Sequence, residues 1–183
     1  HVGRDRRIAD QLRAIDELLV GSANALPKAE VEFRLANSRG WGSGELDDAE
    51  RACTSAHALF EQAMDPASAL LAENELAWMH GLRGDYAGME AAATRVAQAA
   101  DDASERFASL QAWHAVGFAA FVRGRFGRAE AALERSNTIA RQEGKVYRLT
   151  VGLTISACNL AAQGRLEEAL PRIEAAKIGD PGW

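Results

Sequence analysis

Apolar residues recur along most of the chain at spacings of three and four, which is the period of a helix that buries one face. One such stripe runs through Ala129, Ala132 and Leu133 and continues at Ile139 and Ala140. We find no segment with the pattern of a strand. The pattern therefore predicts an all-α chain, with helices near residues 4–20, 27–39, 45–64, 66–82, 85–100, 102–123, 125–142, 145–163 and 165–177.

A glycine-centred motif recurs four times, with a constant separation of forty positions. In each copy the glycine is followed two positions later by a large apolar residue and five positions later by a small or apolar one. The copies begin at Gly44, Gly84, Gly124 and Gly164. We expect each glycine to supply a left-handed turn between the two helices of a hairpin. The large residues that we expect to plug the corner between the helices are Leu46, Tyr86, Phe126 and Leu166.

Local signals predict where helices begin. Asp65 followed by Pro66 predicts an N-cap and a first helical residue, and Asp102 with Glu105 predicts a capping box for a helix that ends near residue 123. Pro171 lies inside the last predicted helix, which it should kink or delay. Acidic pairs favour helix starts because of the helix dipole; the pairs are Asp47–Asp48, Asp101–Asp102 and Glu167–Glu168.

Connections between the predicted helices are short, which leaves no place for a domain boundary or a linker. We therefore predict one repeat domain over residues 1–183, with a leading helix in residues 1–26 and hairpins in residues 27–64, 65–100, 101–143 and 144–183. The chain begins at His1 and ends in a turn-like sequence, so we expect it to be a fragment of a longer protein.

The charge balance and the cysteines narrow the classes of partner. The 183 residues include 26 acidic and 21 basic side chains, and Arg4, Arg6 and Arg7 form the only tight basic cluster. Direct binding of nucleic acid is not expected, because phosphate recognition needs concentrated positive charge. We find no bilayer-spanning apolar run and no export signal, so we expect a cytoplasmic protein that does not contact membranes. Cys53 and Cys158 are both predicted to be small buried residues.

The sequence carries no motif of a catalytic or cofactor site that we can identify. The Gly144–Lys145 pair has Ile139 where a phosphate-binding loop needs its first glycine. The glycine-rich segment 40–44 lacks a preceding strand, so we favour a flexible loop between helices over a nucleotide loop. The histidines lack zinc-ligand spacing, and no serine lies in a nucleophile motif. We therefore predict no cofactor, no metal and no enzymatic activity.

The motif resembles the tetratricopeptide repeat (TPR). With Gly84, Gly124 and Gly164 at the glycine position of that repeat, Pro181 falls at its proline position, and small residues precede the glycines by seven positions at Ala77, Gly117 and Ala157. The match covers residues 31–181, although the common repeat is shorter, at about 34 residues per unit. The resemblance implies a right-handed α-α superhelix, a TPR-like solenoid of about four hairpins with an extra N-terminal helix.

Forty-residue units rich in alanine and arginine are similar to the repeats of MalT and other large ATP-binding LuxR-type regulators of bacteria. In that family a nucleotide-binding domain precedes the repeats and a DNA-reading domain follows them. The segment at residues 2–6 resembles the start of such a nucleotide-binding domain, but no phosphate-binding loop follows it, so we favour a plain helix start.

The TPR resemblance also implies a binding face, because the first helices of successive hairpins line the concave wall of such solenoids. The inner positions give a polar column of Arg34, Asn74, His114 and Thr154, and a partly aromatic column of Ser38, Trp78, Phe118 and Cys158, extended by Phe121. Aromatic area and hydrogen-bond donors suit a peptide or small-molecule groove. For the aromatic residues, packing against a neighbouring helix is the alternative.

These features favour a non-catalytic binding scaffold. The first hypothesis is a protein-interaction or effector-sensing domain of a bacterial transcription regulator, in which a protein, a peptide or a small-molecule effector fills the groove and shifts attached domains between states. The second hypothesis is a constitutive adaptor or assembly scaffold without a switching role. Exposed apolar ends of the repeat array also favour a homo-oligomer.

Overall fold

The computed structural model describes residues 14–15 and 25–178, and within that part of the chain it confirms an all-α fold without strands. Contacts divide the chain into two units, residues 1–85 and residues 86–183. Unit 1 contains α1 (Ala25–Asn37), a π-helical turn (Ser38–Ser43), α2 (Leu46–Gln62) and α3 (Pro66–Leu82). Unit 2 contains α4 (Tyr86–Asp102), α5 (Arg106–Val122), α6 (Phe126–Gln142), α7 (Val146–Ala162) and α8 (Leu166–Ile178).

The helices follow a backbone period that is half the period of the glycine motif. Helices α2 to α8 begin at regular steps of twenty positions, from Leu46 to Leu166. Each of the six helices from α2 to α7 has 17 residues, and a turn of three joins each one to the next. Consecutive helices within each unit pack against each other, as TPR-like hairpins do. The turn within a hairpin and the turn between hairpins therefore have the same length.

Every three-residue turn contains a left-handed residue at its centre. The next residue donates its N–H to the carbonyl five residues earlier, as Arg125 does to Ala120 at 2.8 Å, which closes the preceding helix. Glycine supplies the left-handed residue at the predicted corners, including Gly124 with φ of 70°. At the two turns of the half-period that lack glycine, the left-handed residues are Met64 (φ 59°) and Ser104 (φ 60°).

The glycine-rich segment 40–44 is not the irregular loop that we predicted. Residues 38–43 form a π-helical turn that continues α1, and the N–H of Glu45 consequently reaches back six residues to the carbonyl of Arg39 at 3.1 Å. A Cβ atom on Gly40 would lie 2.9 Å from the Cε of Met79. The segment is therefore packed closely against α3, and a larger residue at position 40 would require the end of the Met79 side chain to shift.

The predicted capping box at Asp102 is wrong. Asp102 is the last residue of α4, and α5 begins at Arg106, where the N-cap Glu105 makes no side-chain capping bond. Asp101 also lies at the end of α4, where its carboxylate accepts hydrogen bonds from Trp113 Nε1 at 3.0 Å and from Arg135 Nη2 at 2.7 Å. These contacts with α5 and α6 explain an acidic residue at a position that the helix dipole disfavours.

The other predicted starts agree with the structure. Asp65 is the N-cap of α3 and accepts a hydrogen bond from the Ser68 N–H at 3.1 Å. The pairs Asp47–Asp48 and Glu167–Glu168 lie in the first turns of α2 and α8. Pro171 does not delay α8, which begins in register with the earlier helices. The predicted helix at residues 4–20, apart from residues 14–15, and Pro181 lie outside the described residues.

Small residues allow the helices of unit 2 to approach closely. A Cβ on Gly117 would lie 2.6 Å from the Cγ of Leu133. Of the large corner residues, Leu46, Tyr86 and Phe126 are half-buried, whereas Leu166, the first residue of α8, is 60% exposed.

The two cysteines differ, so the prediction that both are buried is half wrong. Cys53 is buried, and its Sγ lies 3.2 Å from the Ala72 carbonyl oxygen. Burial raises the pKa of the Cys53 thiol to about 12. Cys158 is exposed on α7. None of the described helices is both long and apolar enough to cross a membrane.

Candidate functional site

Three of the predicted binding residues lie in unit 1. Arg34 on α1 is exposed and forms an ion pair with Glu30 one turn earlier, with Nη2 and Oε1 2.5 Å apart. Asn74 on α3 is 1% exposed, and its Oδ1 has no hydrogen-bond partner in the described part of the chain. Trp78 lies one turn after Asn74 and packs edge-on against Trp41, with ring centroids 5.3 Å apart. In unit 1, the buried amide of Asn74 therefore lies one helical turn before Trp78, which packs against Trp41.

The polar candidates of unit 2 differ in exposure. His114 on α5 is 6% exposed. Burial and, second, the positive charge of Arg148 lower the pKa of His114 to about 4, so its imidazole is neutral at neutral pH. Thr154 on α7 is exposed, and its hydroxyl donates to the Thr150 carbonyl of its own helix at 2.9 Å. Thr154 is consequently the more accessible of the two.

The aromatic candidates of unit 2 are partly buried. Phe118 packs edge-on against Tyr86, with ring centroids 6.3 Å apart. Phe121 is also half-buried. Each ring is therefore partly buried and partly exposed. Such a ring can pack against a neighbouring helix and still offer its exposed part to a partner.

An uncharged stripe runs along α7. Residues at i, i+4, i+7 and i+11 share one helix face, and on α7 these positions are Tyr147, Val151, Thr154 and Cys158. Tyr147 is 67% exposed, and Thr154 and Cys158 are exposed as well. The equivalent positions of α5 are Phe107, Gln111, His114 and Phe118, and α5 contacts α7 within unit 2.

A second set of charged residues was not predicted from the sequence. We call Asp47, Glu50 and Arg83 the acidic corner of unit 1. The Nη2 of Arg83 lies 2.7 Å from both Asp47 Oδ1 and Glu50 Oε2. Hydrogen bonds to these two carboxylates raise the pKa of Arg83. One guanidinium therefore forms ion pairs with two carboxylates.

The equivalent corner of unit 2 has the opposite composition, and we call Glu90, Arg123, Arg125 and Arg128 the arginine corner. Arg123 Nη1 lies 2.6 Å from Glu90 Oε2, whereas Arg125 Nη1 and Arg128 Nε lie 2.8 Å and 2.5 Å from Oε1. The Glu90 side chain is only 4% exposed. Arg128 Nη2 also donates to Thr94 Oγ1 at 3.0 Å.

The next corner of unit 2 returns to the acidic pattern. Arg165 pairs with Glu130 at 2.9 Å and with Glu168 at 2.7 Å. Glu50, Glu90 and Glu130 follow the period of the glycine motif, so extending that period to charged positions would have aligned the three corners. The different number of arginines at each corner requires the structure, because the paired residues are 33 to 38 positions apart.

The described residues include no group of three or more histidine, cysteine, aspartate or glutamate side chains arranged to hold a metal ion. A shallow surface depression in unit 1 is lined by Asp47, Asp48 and Arg83, beside the acidic corner.

No family model and no curated protein matches this chain. Among solved structures, the nearly identical TPR-like repeats of a Podosopora anserina protein assigned as a kinesin light chain are similar at 16% identity, with a TM-score of 0.66, over 97% of this chain and 87% of that one. A form of those repeats with one substitution gives 17% identity and a TM-score of 0.68 over the same shares.

BtubC (BKLC) from P. vanneervenii is also similar, at 13% identity with a TM-score of 0.68, over 97% of this chain and 86% of that one. At such identities the likeness concerns the fold and not the activity. The resemblance to MalT-type regulators remains a hypothesis. The equal helices, the left-handed turns and these structural neighbours together show that the chain has a TPR-like helical-repeat fold.

Proposed function

We propose that this chain is a non-catalytic protein-interaction scaffold. The observation that carries the proposal is the uncharged stripe of α7, where Tyr147, Thr154 and Cys158 are exposed on one helix face. An exposed aromatic ring beside small side chains provides contact area at little cost in conformational entropy, which is what a partner's apolar side chain needs.

The binding residues of the proposal are those at inner positions of the first helices. In unit 2, Thr154 and the exposed edges of Phe118 and Phe121 contact the partner, and buried neutral His114 supports the surface between α5 and α7. In unit 1, Arg34, Asn74 and Trp78 hold the corresponding positions. The guanidinium of Arg34 can bind a carboxylate of the partner once its ion pair with Glu30 breaks. That ion pair is exposed and adds little stability.

The stripe can be tested with two matched substitutions. Peptides are selected from a random displayed library on the unaltered chain, and their affinities are compared for Thr154→Arg and Thr138→Arg. Both threonines are exposed, but Thr138 lies on the second helix α6. We expect Thr154→Arg to weaken binding about tenfold, because it places a charge in an apolar contact, and Thr138→Arg to leave it unchanged.

Selection of no peptide at all would count against a scaffold. Peptides that tolerate Thr154→Arg but are lost with Thr138→Arg would move the binding face to the second helices. Melting temperatures of both variants serve as the control for folding, since each substitution adds the same side chain at an exposed helical position.

For the protein as a whole, we propose the effector-sensing repeat domain of a cytoplasmic bacterial transcription regulator, supported by the resemblance of the forty-residue units to MalT-type repeats. A constitutive adaptor is the alternative. Flanking nucleotide-binding and DNA-reading domains in the full gene would favour the regulator, and a gene without them would favour the adaptor.

A further inference from the structure

The arginine corner holds more positive charge than its own carboxylate can neutralise. In the part of the chain that the structure describes, Arg123, Arg125 and Arg128 form ion pairs with one carboxylate, that of Glu90. Three guanidinium groups and one carboxylate leave an excess of two positive charges. The guanidinium groups also repel one another, because all three converge on the same two oxygen atoms.

The geometry keeps these arginines in place without exhausting their donors. Glu90 is almost fully buried and acts as a fixed anchor, and Thr94 orients Arg128. The side chains of Arg123, Arg125 and Arg128 remain 35%, 51% and 39% exposed. Each guanidinium has five N–H donors and uses only one or two of them in these bonds. The remaining donors are available to an anion at the surface.

Comparison with the equivalent corners shows that this composition is particular to one place. Arg83 and Arg165 each pair with two carboxylates. At the positions of Asp47 and Glu168, the arginine corner instead has Ala87 and Arg128. The backbone is the same, so the accumulation of positive charge is not a requirement of the fold.

We propose that the arginine corner binds the carboxylate groups of an acidic segment in a partner protein. Guanidinium groups bind carboxylates through paired, charge-assisted hydrogen bonds, and a bound carboxylate relieves the repulsion among the three cations. The surface belongs to α4, α6 and the turn before α6, whereas the uncharged stripe lies on α7. The proposal goes beyond the scaffold function and can fail or succeed independently of it.

Two features favour a short acidic protein segment over a nucleic acid. The excess is only two charges, whereas stable binding of a phosphate backbone needs an extended series of cationic contacts. The chain as a whole carries a formal net charge of −5, which repels a long polyanion over a wider area than a short peptide occupies.

The test uses an acetylated hexaglutamate peptide, with hexaglutamine as the uncharged probe, titrated calorimetrically into the full chain at low salt. The variant Arg125→Gln/Arg128→Gln leaves Arg123 to pair with Glu90, so the buried carboxylate keeps a partner. The matched control is Arg165→Gln, which lies one full glycine period after Arg125, at the same position of an acidic corner. Melting curves confirm that each variant is folded.

We expect hexaglutamate to bind the unaltered chain, to bind the double variant about tenfold more weakly, and to bind Arg165→Gln with unchanged affinity. Equal affinity for the double variant, or equal binding of hexaglutamine, would overturn the proposal. Tighter binding of inorganic phosphate or of a short oligonucleotide would overturn the assignment to a protein carboxylate. Self-association of the unaltered chain that the double variant abolishes would assign the corner to a second copy instead.

Discussion

The acidic corner of unit 1 and the arginine corner of unit 2 occupy the same position of the repeat, yet their charges are inverted. Arg83 forms ion pairs with two carboxylates, whereas Glu90 forms ion pairs with three arginines. The side chain of Glu50 is 50% exposed, whereas that of Glu90 is 4% exposed. The turns and small residues that set the backbone therefore leave corner charges free to vary, and the variation is where binding specificity can arise.

The two units also differ at a second pair of equivalent positions. Asn74 and His114 lie one glycine period apart, and both are buried on first helices. Asparagine does not titrate, whereas a buried imidazole resists protonation. The comparison therefore predicts that only unit 2 has a pH-sensitive group at this position.

The largest effect concerns His114. Its folded pKa of about 4 lies below the ordinary value of 6.5, so the unfolded chain binds the extra proton first. The stability due to neutral His114 is complete above pH 6.5 and is lost as the pH falls towards 4. Between pH 7 and pH 4, we expect the free energy of unfolding to fall by about 3 kcal/mol more in the unaltered chain than in His114→Asn, which copies unit 1. Urea unfolding at both pH values measures this, and parallel pH profiles would contradict it.

The next effect compares the two corner glutamates. We expect Glu90→Gln to lower the free energy of unfolding by about 2 kcal/mol, because it leaves three arginines around an uncharged amide. Glu50→Gln should cost less than about 0.5 kcal/mol, since that pair is exposed. Chemical denaturation at neutral pH compares the variants, and equal losses would show that burial does not distinguish the corners.

A smaller effect concerns the left-handed turns, of which each unit has one without glycine among its described residues. Met64 is 86% exposed at φ of 59°, so Met64→Gly removes backbone strain and little packing. We expect a gain of about 0.5 to 1 kcal/mol after the entropy of the unfolded glycine is included. Ser104→Gly in unit 2 should shift stability in the same direction. Gly144→Ala provides the reverse control and should destabilise the chain; thermal unfolding that ranks these variants otherwise would refute the turn account.

The smallest effect tests the excess charge directly. We expect Arg125→Gln to change the free energy of unfolding by less than about 0.5 kcal/mol, because Glu90 retains two arginines and repulsion is relieved. Arg83→Gln removes the cation that serves both carboxylates and should cost about 0.5 kcal/mol or more. The unfolding of both variants is measured at low and at high salt. Salt screens interactions between exposed charges, so the stability difference between the variants should shrink at high salt if it is electrostatic.

The fold could be predicted from the sequence where a backbone conformation is met by a characteristic residue type. Glycine marks the corners at residues 44, 84, 124 and 164, and all four have the left-handed conformation that we expected. The half-period turns at Met64 and Ser104 have the same backbone but no glycine, so no repeated residue marked them and those helix boundaries depended on local signals and apolar spacing. The capping prediction at Asp102 failed because Asp101 serves Trp113 and Arg135, contacts that local spacing does not reveal.

The charged sites were less predictable than the fold. Glu90 was a surface-type residue in the sequence, and its burial depends on arginines that lie 33 to 38 positions later. His114 was a candidate by position, but its neutral state follows from packing and from Arg148. Periodicity located the positions, and only the packed structure determined their exposure and partners.

The most direct test of the charge difference between the corners is an NMR titration of hexaglutamate that follows the guanidinium Nε–H signals of the full chain. We expect the signals of Arg123, Arg125 and Arg128 to shift together and to saturate with one affinity, while that of Arg83 stays in place. Shifts of equal size at Arg83 and at the arginine corner would contradict the account.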